Sequence, residues 1–214
     1  MKRAQWTLPA LALCCIMSIP AAADRIYNNF DIGDTYDGRA GWGVSGPDGP
    51  DGQVTNAQQF IADTSAVVTQ IDLAVSVLQG TGGGTAALYT QDDNAMPGTL
   101  LGSWGFTAHQ NFGDCCAVET INISGGPTLT QGTKYFMVLS SYDANVDVWN
   151  DNITGAHGLV WVSRDNGGTW ESGDGDLLSA FRVEGTAVPE PGTLLMMGSG
   201  IVAAAAGLRR KLNV

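Results

Sequence analysis

The 214-residue sequence has few charged side chains and very few basic ones. Asp, Glu, Lys and Arg make up 14% of the residues, compared with about 25% in an average soluble domain. The segment from Asp24 to Glu190 contains all 21 acidic residues but only five of the ten basic ones, so its formal charge is −16. Nucleic acids and anionic lipid headgroups are bound mainly through Lys and Arg. The composition therefore excludes a nucleic-acid-binding protein.

Histidine is also scarce, which limits the catalytic chemistry that the chain can support. The two histidines, His109 and His157, have no Cys or carboxylate neighbour at the spacing of a metal-binding or catalytic motif. The sequence has no Gly-x-Ser-x-Gly motif of a serine hydrolase. We therefore expect a non-enzymatic protein. A glycan-active hydrolase, whose catalytic groups would come together only on folding, is the less favoured alternative.

The N-terminus has the three-part order that is typical of a secretory signal peptide. Two basic residues precede an apolar run over residues 6–19, and Ala21 and Ala23 stand at the small positions before a cleavage point. We expect the export machinery to take this segment as a signal helix and signal peptidase to remove residues 1–23. The apolar run is shorter than the roughly 20 residues of a membrane span, which argues against an uncleaved anchor.

The C-terminus combines a short motif, an uncharged apolar segment and a basic cluster. The motif residues are Pro189, Glu190 and Pro191, and the cluster begins with Arg209 and Arg210. Between them, residues 193–208 would form a helix of about 24 Å, which is short of the hydrocarbon core of about 30 Å. We therefore expect a marginal transmembrane helix. The basic cluster favours a cytoplasmic C-terminus, in agreement with export of the rest of the chain.

This order of features resembles the PEP-CTERM sorting tail of bacterial exoproteins and would cover residues 187–214. The resemblance implies recognition of the Pro-Glu-Pro motif and cleavage by an exosortase, a membrane transpeptidase-like cysteine protease, with the arginines as the stop. The implied route is transient anchoring in the inner membrane, followed by the cell envelope or an exopolysaccharide matrix. Considered alone, the motif could also be a proline-stiffened linker.

Between the two terminal segments, residues 24–186 alternate apolar and polar side chains over short runs. These runs are residues 71–77, 85–90, 100–106, 119–124, 135–140, 146–149, 159–163 and 178–184. Such a pattern predicts half-buried β-strands, and the chain has 29 glycines, many of them in turn signals between the runs. We expect an all-β domain of about nine or ten strands in a jelly-roll-like antiparallel β-sandwich.

Turn and strand motifs over most of this domain resemble the choice-of-anchor R family. The matching segments are residues 29–30, 41–42, 71–77, 88–89, 97–100, 104, 129–135 and 167–170. That family consists of secreted domains with alternative C-terminal anchors, and no biochemical activity is assigned to it. The resemblance implies a sandwich fold and leaves the function open.

Ser163, Asp165, Gly167, Thr169 and Trp170 match the Asp-box of sialidase-type propellers. The aspartate of such a box accepts hydrogen bonds from turn amides, its glycine adopts a positive φ, and its tryptophan packs beneath the hairpin. A propeller needs one repeat in each blade, and the sequence has a single copy. We therefore interpret this box as a structural turn.

The candidate metal site is an acidic segment that begins at Asp143. Asp143, Asn145 and Asp147 have the spacing that starts a calcium loop, but the Gly and Glu that an EF-hand requires further along are missing. A looser calcium site that also uses Asp151 is one hypothesis, and a solvated acidic loop is the alternative. No other cofactor is indicated.

Cys115 and Cys116 are the cysteines that remain after the signal peptide is removed, and they are adjacent. Outside the cell they can form a vicinal disulfide; a reduced pair and an intermolecular link are the alternatives. A bridge between neighbours does not join distant strands, so the fold must depend on its core.

Exposed aromatic rings would allow the domain to bind glycans by stacking on sugar rings. The candidates are Trp42, Trp104, Trp149, Trp161, Trp170, Tyr27, Tyr36, Tyr89, Tyr135 and Tyr142. We predict that Trp149 and Tyr142, in and beside the acidic segment, form the exposed pair. The main functional hypothesis is an envelope or matrix protein that contacts extracellular polysaccharide or other envelope components. The alternative is a carbohydrate-binding module, with or without the assistance of calcium.

Overall fold

The computed structural model describes residues 24–188, apart from the side chains of residues 172–175. The predicted signal peptide, with Ala21 and Ala23, and the predicted C-terminal helix lie outside the described residues. In residues 24–188 the chain forms β-strands and turns, and it has no helix that is long and apolar enough to cross a membrane.

Fifteen strands are found in residues 24–188. They are β1 (Asp24–Asn28), β2 (Asp37–Ser45), β3 (Thr55–Ile61), β4 (Ala66–Leu73), β5 (Val75–Gln79), β6 (Gly84–Gln91), β7 (Pro97–Phe106), β8 (Gln110–Asn111), β9 (Glu119–Asn122), β10 (Thr128–Leu129), β11 (Lys134–Ser141), β12 (Val146–Asp151), β13 (His157–Ser163), β14 (Glu171–Leu177) and β15 (Phe181–Ala187). The short runs and frequent turns follow from the alternation and the many glycines of the sequence.

The strands form three sheets. The five-stranded sheet has the order β1-β15-β4-β10, with β9 also paired with β4; the six-stranded sheet has the order β14-β13-β3-β11-β6-β7; and the four-stranded sheet has the order β2-β12-β5-β8. Neighbouring strands are antiparallel, except that β5 and the two-residue β8 are parallel. These pairings confirm the prediction of an all-β fold with antiparallel sheets.

One segment of chain joins the five-stranded sheet to the four-stranded sheet. Only Ala74 separates β4 from β5. The Ala74 amide donates to the Ala180 carbonyl oxygen at 3.1 Å, and the Ala74 carbonyl oxygen accepts from the Asn150 amide at 2.7 Å. The two sheets are therefore connected by backbone hydrogen bonds at Ala74.

Side chains from all three sheets meet in one hydrophobic core, which we call the main core. It includes Ile71 and Val183 from the five-stranded sheet, Val44 and Trp149 from the four-stranded sheet, and Leu88, Met137 and Leu139 from the six-stranded sheet. These side chains are fully buried. Since the only described disulfide joins adjacent residues, burial of this apolar surface is the main stabilising contribution to the described fold.

The structure differs from the sequence prediction in three respects. It has three sheets rather than two, so the strand order does not support the jelly-roll prediction. It has fifteen strands rather than about nine or ten, because short and glycine-rich strands give little alternation. The polar side of residues 71–77 is also buried: Asp72 and Ser76 have no exposed surface. Their hydrogen bonds to other strands compensate for the loss of water.

Candidate functional site

The face of the six-stranded sheet that points away from the main core carries a second, smaller hydrophobic cluster; we call this side the outer face. Its buried residues are Ala57, Ala87, Phe136 and Val138, and Tyr89, Trp161 and Trp170 pack against them. Successive side chains of a strand point to opposite sides, which explains why Met137 and Leu139 lie in the main core and their neighbours on the outer face.

A pocket of about 210 Å³ lies on this outer face; we call it the outer pocket. It is lined by Thr55, Thr85, Ala87, Tyr89, Leu100, Ser103, Val138, Ser140, Asn166, Gly167 and Trp170. None of these side chains is a carboxylate, an amine or an imidazole. Aromatic rings, aliphatic groups, hydroxyl groups and the carboxamide of Asn166 therefore make up its surface.

The Asp-box turn forms one rim of the outer pocket, and its side chains hold it in place. The Ser163 hydroxyl donates to Asp165 Oδ1 at 2.7 Å and accepts from the Gly167 amide at 2.7 Å. The Thr169 amide donates to Asp165 Oδ1 at 2.7 Å and its hydroxyl to Oδ2 at 2.8 Å. Gly167 has a φ of +89°. This geometry supports the interpretation of the box as a structural turn, with Trp170 packed on the cluster beneath it.

The same hydrogen bonds act on the acidity of Asp165. The backbone amide of Thr169 and the hydroxyl groups of Ser163 and Thr169 lower its pKa to about 2. The carboxylate is therefore charged at neutral pH, and both of its oxygens accept hydrogen bonds from residues of the turn.

Tyr142 and Trp149 do not form the predicted exposed pair. Tyr142 is exposed, but the prediction is wrong for Trp149, which is buried. Tyr142 is 45% exposed, and its hydroxyl oxygen accepts from the Thr85 hydroxyl at 3.2 Å, which places it beside the outer pocket. Trp149 is 0% exposed. It lies in β12, between β2 and β5, and its indole packs 5.4 Å from the Phe181 ring and donates to the Ala180 carbonyl oxygen.

The four calcium candidates are not brought together as a metal site. Asp147 is buried and accepts from the Ser141 hydroxyl at 2.7 Å, and Asn145 Oδ1 accepts from the Thr81 amide at 3.0 Å. Asp143 is exposed in the turn between β11 and β12, whereas Asp151 ends β12. In residues 24–188, no group of three or more His, Cys, Asp or Glu side chains has an arrangement that could hold a metal ion. The structure therefore does not support a calcium site formed by these residues.

Burial makes two of these carboxyl groups weaker acids. Burial raises the pKa of Asp147, although hydrogen bonds from Ser141 and from the Gly83 amide act in the opposite direction. Burial and the nearby charge of Asp37 raise the pKa of Asp151 to about 6. Asp151 Oδ1 is buried without a hydrogen-bond partner, so its charged form is disfavoured in the folded protein.

The histidines lie on the surface, away from the outer pocket. The His109 side chain is 73% exposed, and its Nδ1 lies 3.1 Å from both carboxylate oxygens of Glu119. His157 is exposed at the first position of β13. Neither residue lines the outer pocket.

Cys115 and Cys116 form a vicinal disulfide in the structure. The surrounding loop is held by Gln110, whose side chain donates to the Tyr36 hydroxyl oxygen at 2.9 Å and to the Asp114 carbonyl oxygen at 2.8 Å. Cys116 also packs against a small cluster that contains Tyr36. Sequence reasoning missed the role of Gln110, because no motif marks a loop anchor of this kind.

Comparison with known families identifies the C-terminal segment. Residues 187–211 match the model of the PEP-CTERM protein-sorting motif. The chain carries a PEP-CTERM sorting motif. This confirms the resemblance seen in the sequence and indicates exosortase-dependent sorting of an exported protein to the cell envelope. The resemblance to the choice-of-anchor R family is not confirmed, and no curated protein matches the chain.

The PEP-CTERM motif follows the last strand directly. Ala187, the first matched residue, is the last residue of β15 and pairs with Ala66 of β4. The Val188 amide donates to the Ser65 carbonyl oxygen at 3.2 Å. Residues 189–191 and the two arginines lie outside the described residues. The motif therefore starts where the described strand pairing ends.

Proposed function

We propose that this chain is an exported, non-enzymatic protein of the cell envelope or extracellular matrix, which an exosortase recognises and cleaves at its PEP-CTERM tail. The observation that carries the proposal is the match of residues 187–211 to the sorting motif. Export machinery and signal peptidase act first. The chain is then held briefly in the inner membrane by its C-terminal helix, with the C-terminus in the cytoplasm.

The strand pairing explains why such cleavage would leave the folded part intact. β15 pairs with β4 from Phe181 to Ala187, and the last described backbone hydrogen bond of the chain comes from the Val188 amide. A cut at or beyond Pro189 therefore removes no described strand pair. The released domain keeps its complete main core.

The chemistry of the outer pocket is that of a binding surface. Its lining residues include no carboxylate, imidazole or thiol that could act as a general acid, base or nucleophile near neutral pH. Binding and structural support are the activities that aromatic and hydroxyl side chains provide.

Charge-matched variants test the sorting proposal. The protein is expressed in a bacterium that encodes an exosortase, as wild type, as Glu190→Ala, and as Glu171→Ala, which removes an exposed carboxylate from β14. Intact mass and cell fractionation are measured. We expect wild type and Glu171→Ala to lose the residues after the motif and to leave the membrane fraction. Glu190→Ala should keep these residues and remain in the membrane fraction.

A strain that lacks the exosortase provides the independent comparison. There, the wild-type chain should behave like Glu190→Ala. Loss of the tail in this strain, or identical processing of Glu190→Ala and wild type in the original strain, would contradict the proposal.

A further inference from the structure

The outer pocket combines aromatic ring surface with several hydroxyl groups. Tyr89 and Trp170 supply ring surface that is partly exposed, while Thr55, Thr85, Ser103 and Ser140 supply hydroxyl groups around it. Asn166 adds an exposed amide on the rim. A ligand that fits must therefore present an apolar surface and several hydrogen-bonding groups within a small volume.

The charge of the pocket differs from the charge of the chain. The segment from Asp24 to Glu190 has a formal charge of −16, but the pocket has no charged lining residue. The nearest acidic group in the rim turn, Asp165, directs both carboxylate oxygens to Ser163 and Thr169. An anionic ligand would be repelled by the surrounding protein and would find no cation in the pocket, so an uncharged ligand is favoured.

The pocket is built on regular, hydrogen-bonded parts of the fold. Its floor lies on three adjacent strands, with Val138 on β11, Ala87 on β6 and Thr55 on β3. Its rim is the hydrogen-bonded Asp-box turn. Because these parts are already ordered, a ligand would lose little free energy to conformational ordering of the protein.

We propose that the outer pocket binds neutral sugar residues of an extracellular polysaccharide. A sugar ring has an apolar C–H face, which stacks on Tyr89 or Trp170, and a rim of hydroxyl groups, which exchange hydrogen bonds with Ser103, Ser140 and Asn166. The volume of about 210 Å³ lies below the range of about 300–1,000 Å³ for drug-sized ligands. The site therefore suits a single sugar ring of a chain.

The assignment replaces the aromatic pair expected from the sequence. Trp149 is in the main core. Tyr142 lies next to the outer pocket, because its hydroxyl oxygen accepts a hydrogen bond from Thr85, a lining residue. Binding at an uncharged pocket needs no metal ion. We therefore expect it to persist in EDTA.

Affinity electrophoresis of the full-length protein tests the proposal. The chain is purified in a detergent without a sugar headgroup and run in native gels that contain soluble β-glucan, galactomannan or dextran as neutral probes, or alginate as the anionic probe. We expect at least one neutral probe to retard the protein in the presence of EDTA, and alginate to have no effect.

Two pocket variants and one matched control locate the binding. Tyr89→Ala removes a ring, and Ser103→Leu fills the pocket from an exposed position of β7. Thr99→Leu makes a similar change at an exposed position of the same strand outside the pocket. We expect about tenfold weaker retardation for Tyr89→Ala, since one stacked ring contributes about 1.4 kcal/mol, which is a factor of ten in the dissociation constant. For Ser103→Leu we expect a loss at least as large, because the leucine side chain occupies the space of the sugar ring. The control should bind like wild type.

Several outcomes would overturn the proposal. The first is that no neutral probe retards the protein, and the second is that alginate alone retards it. The third is that Ser103→Leu and Thr99→Leu bind equally well while both have the unfolding midpoint of the wild type. Because purified protein is used, the result does not depend on the exosortase. Failure here would leave the sorting proposal untouched, and failed sorting would leave the pocket untouched.

Discussion

Replacing Arg182 by methionine should destabilise the domain strongly, because this side chain neutralises a buried carboxylate. Arg182 Nε and Nη2 lie 2.8 and 2.6 Å from Asp72 Oδ2, and Nη1 lies 2.7 Å from Asp34 Oδ1. The Arg182 side chain is 15% exposed and that of Asp72 is 0% exposed. Burial acts to lower the pKa of Arg182, but the hydrogen bonds to Asp34 and Asp72 raise it overall, so the guanidinium stays charged.

The size of the effect follows from what the substitution leaves behind. Removing one partner of a buried ion pair costs about 3–5 kcal/mol, because the other charge remains buried without compensation. Asp72 keeps hydrogen bonds from the Thr120 hydroxyl at 2.7 Å and from Gln70 Nε2 at 2.9 Å, so we expect a loss of about 3 kcal/mol for Arg182→Met. This is a large part of a total stability of about 5–15 kcal/mol, and it corresponds to a fall in Tm of about 6–12 °C.

Urea unfolding followed by tryptophan fluorescence measures the loss, since Trp149 is buried in the main core. Arg39→Met is the control, because it removes an exposed arginine and should change the free energy of unfolding by less than about 0.5 kcal/mol. The double variant Arg182→Met, Asp72→Asn should lose clearly less than the sum of the single losses. If the losses add to within about 0.5 kcal/mol, or if Arg182→Met behaves like Arg39→Met, the buried-pair argument is refuted.

Two further predictions concern pH and carboxyl groups whose pKa values are shifted in opposite directions. Turn hydrogen bonds lower the pKa of Asp165 to about 2, so the stability it contributes is present above about pH 4 and is lost as the pH falls towards 2. Unfolding midpoints at a series of pH values should show wild type more stable than Asp165→Asn at pH 7, with the difference vanishing near pH 2; a constant difference would contradict this. Burial, with Asp37 nearby, raises the pKa of Asp151 to about 6, so ionisation costs stability as the pH rises from about 4 through 6. Asp151→Asn should therefore be more stable than wild type at pH 7.5, by on the order of 1 kcal/mol, and should show no gain at pH 4; an equal gain at both values would argue against a pKa effect.

Strand positions were predictable wherever apolar alternation was flanked by clear turn signals. Residues 85–90 and 159–163 were predicted as strands, and the structure has Gly84–Gln91 and His157–Ser163. β3 gave no such signal, because its inward side carries Asn56 and Gln58. Gln58 is paired with Ser179, more than a hundred residues away, through both its amide nitrogen and its oxygen. A polar residue that is satisfied by a distant partner leaves no local pattern.

The candidate site was only partly predictable, because exposure of an aromatic ring is a tertiary property. The sequence identified the Asp-box turn correctly as a structural element, and it included Tyr89 and Trp170 among ten candidate rings. It could not show that β6, β11, β3 and β13 lie side by side, which brings these two rings to one pocket. It misjudged Trp149 because an acidic neighbour, Asp147, indicated a solvated segment, whereas both side chains are buried.

The placement of the sorting motif and of the outer pocket allows both to operate in the same molecule. The motif continues from β15 in the five-stranded sheet, and the pocket lies on the six-stranded sheet, on the side facing away from the main core. Because the lining residues of the pocket all lie between Thr55 and Trp170, the proposed cleavage at the motif would remove none of them. Under the two proposals made above, the protein would therefore present the same binding face before and after cleavage of its tail, and the outer pocket would then be what holds it to a polysaccharide.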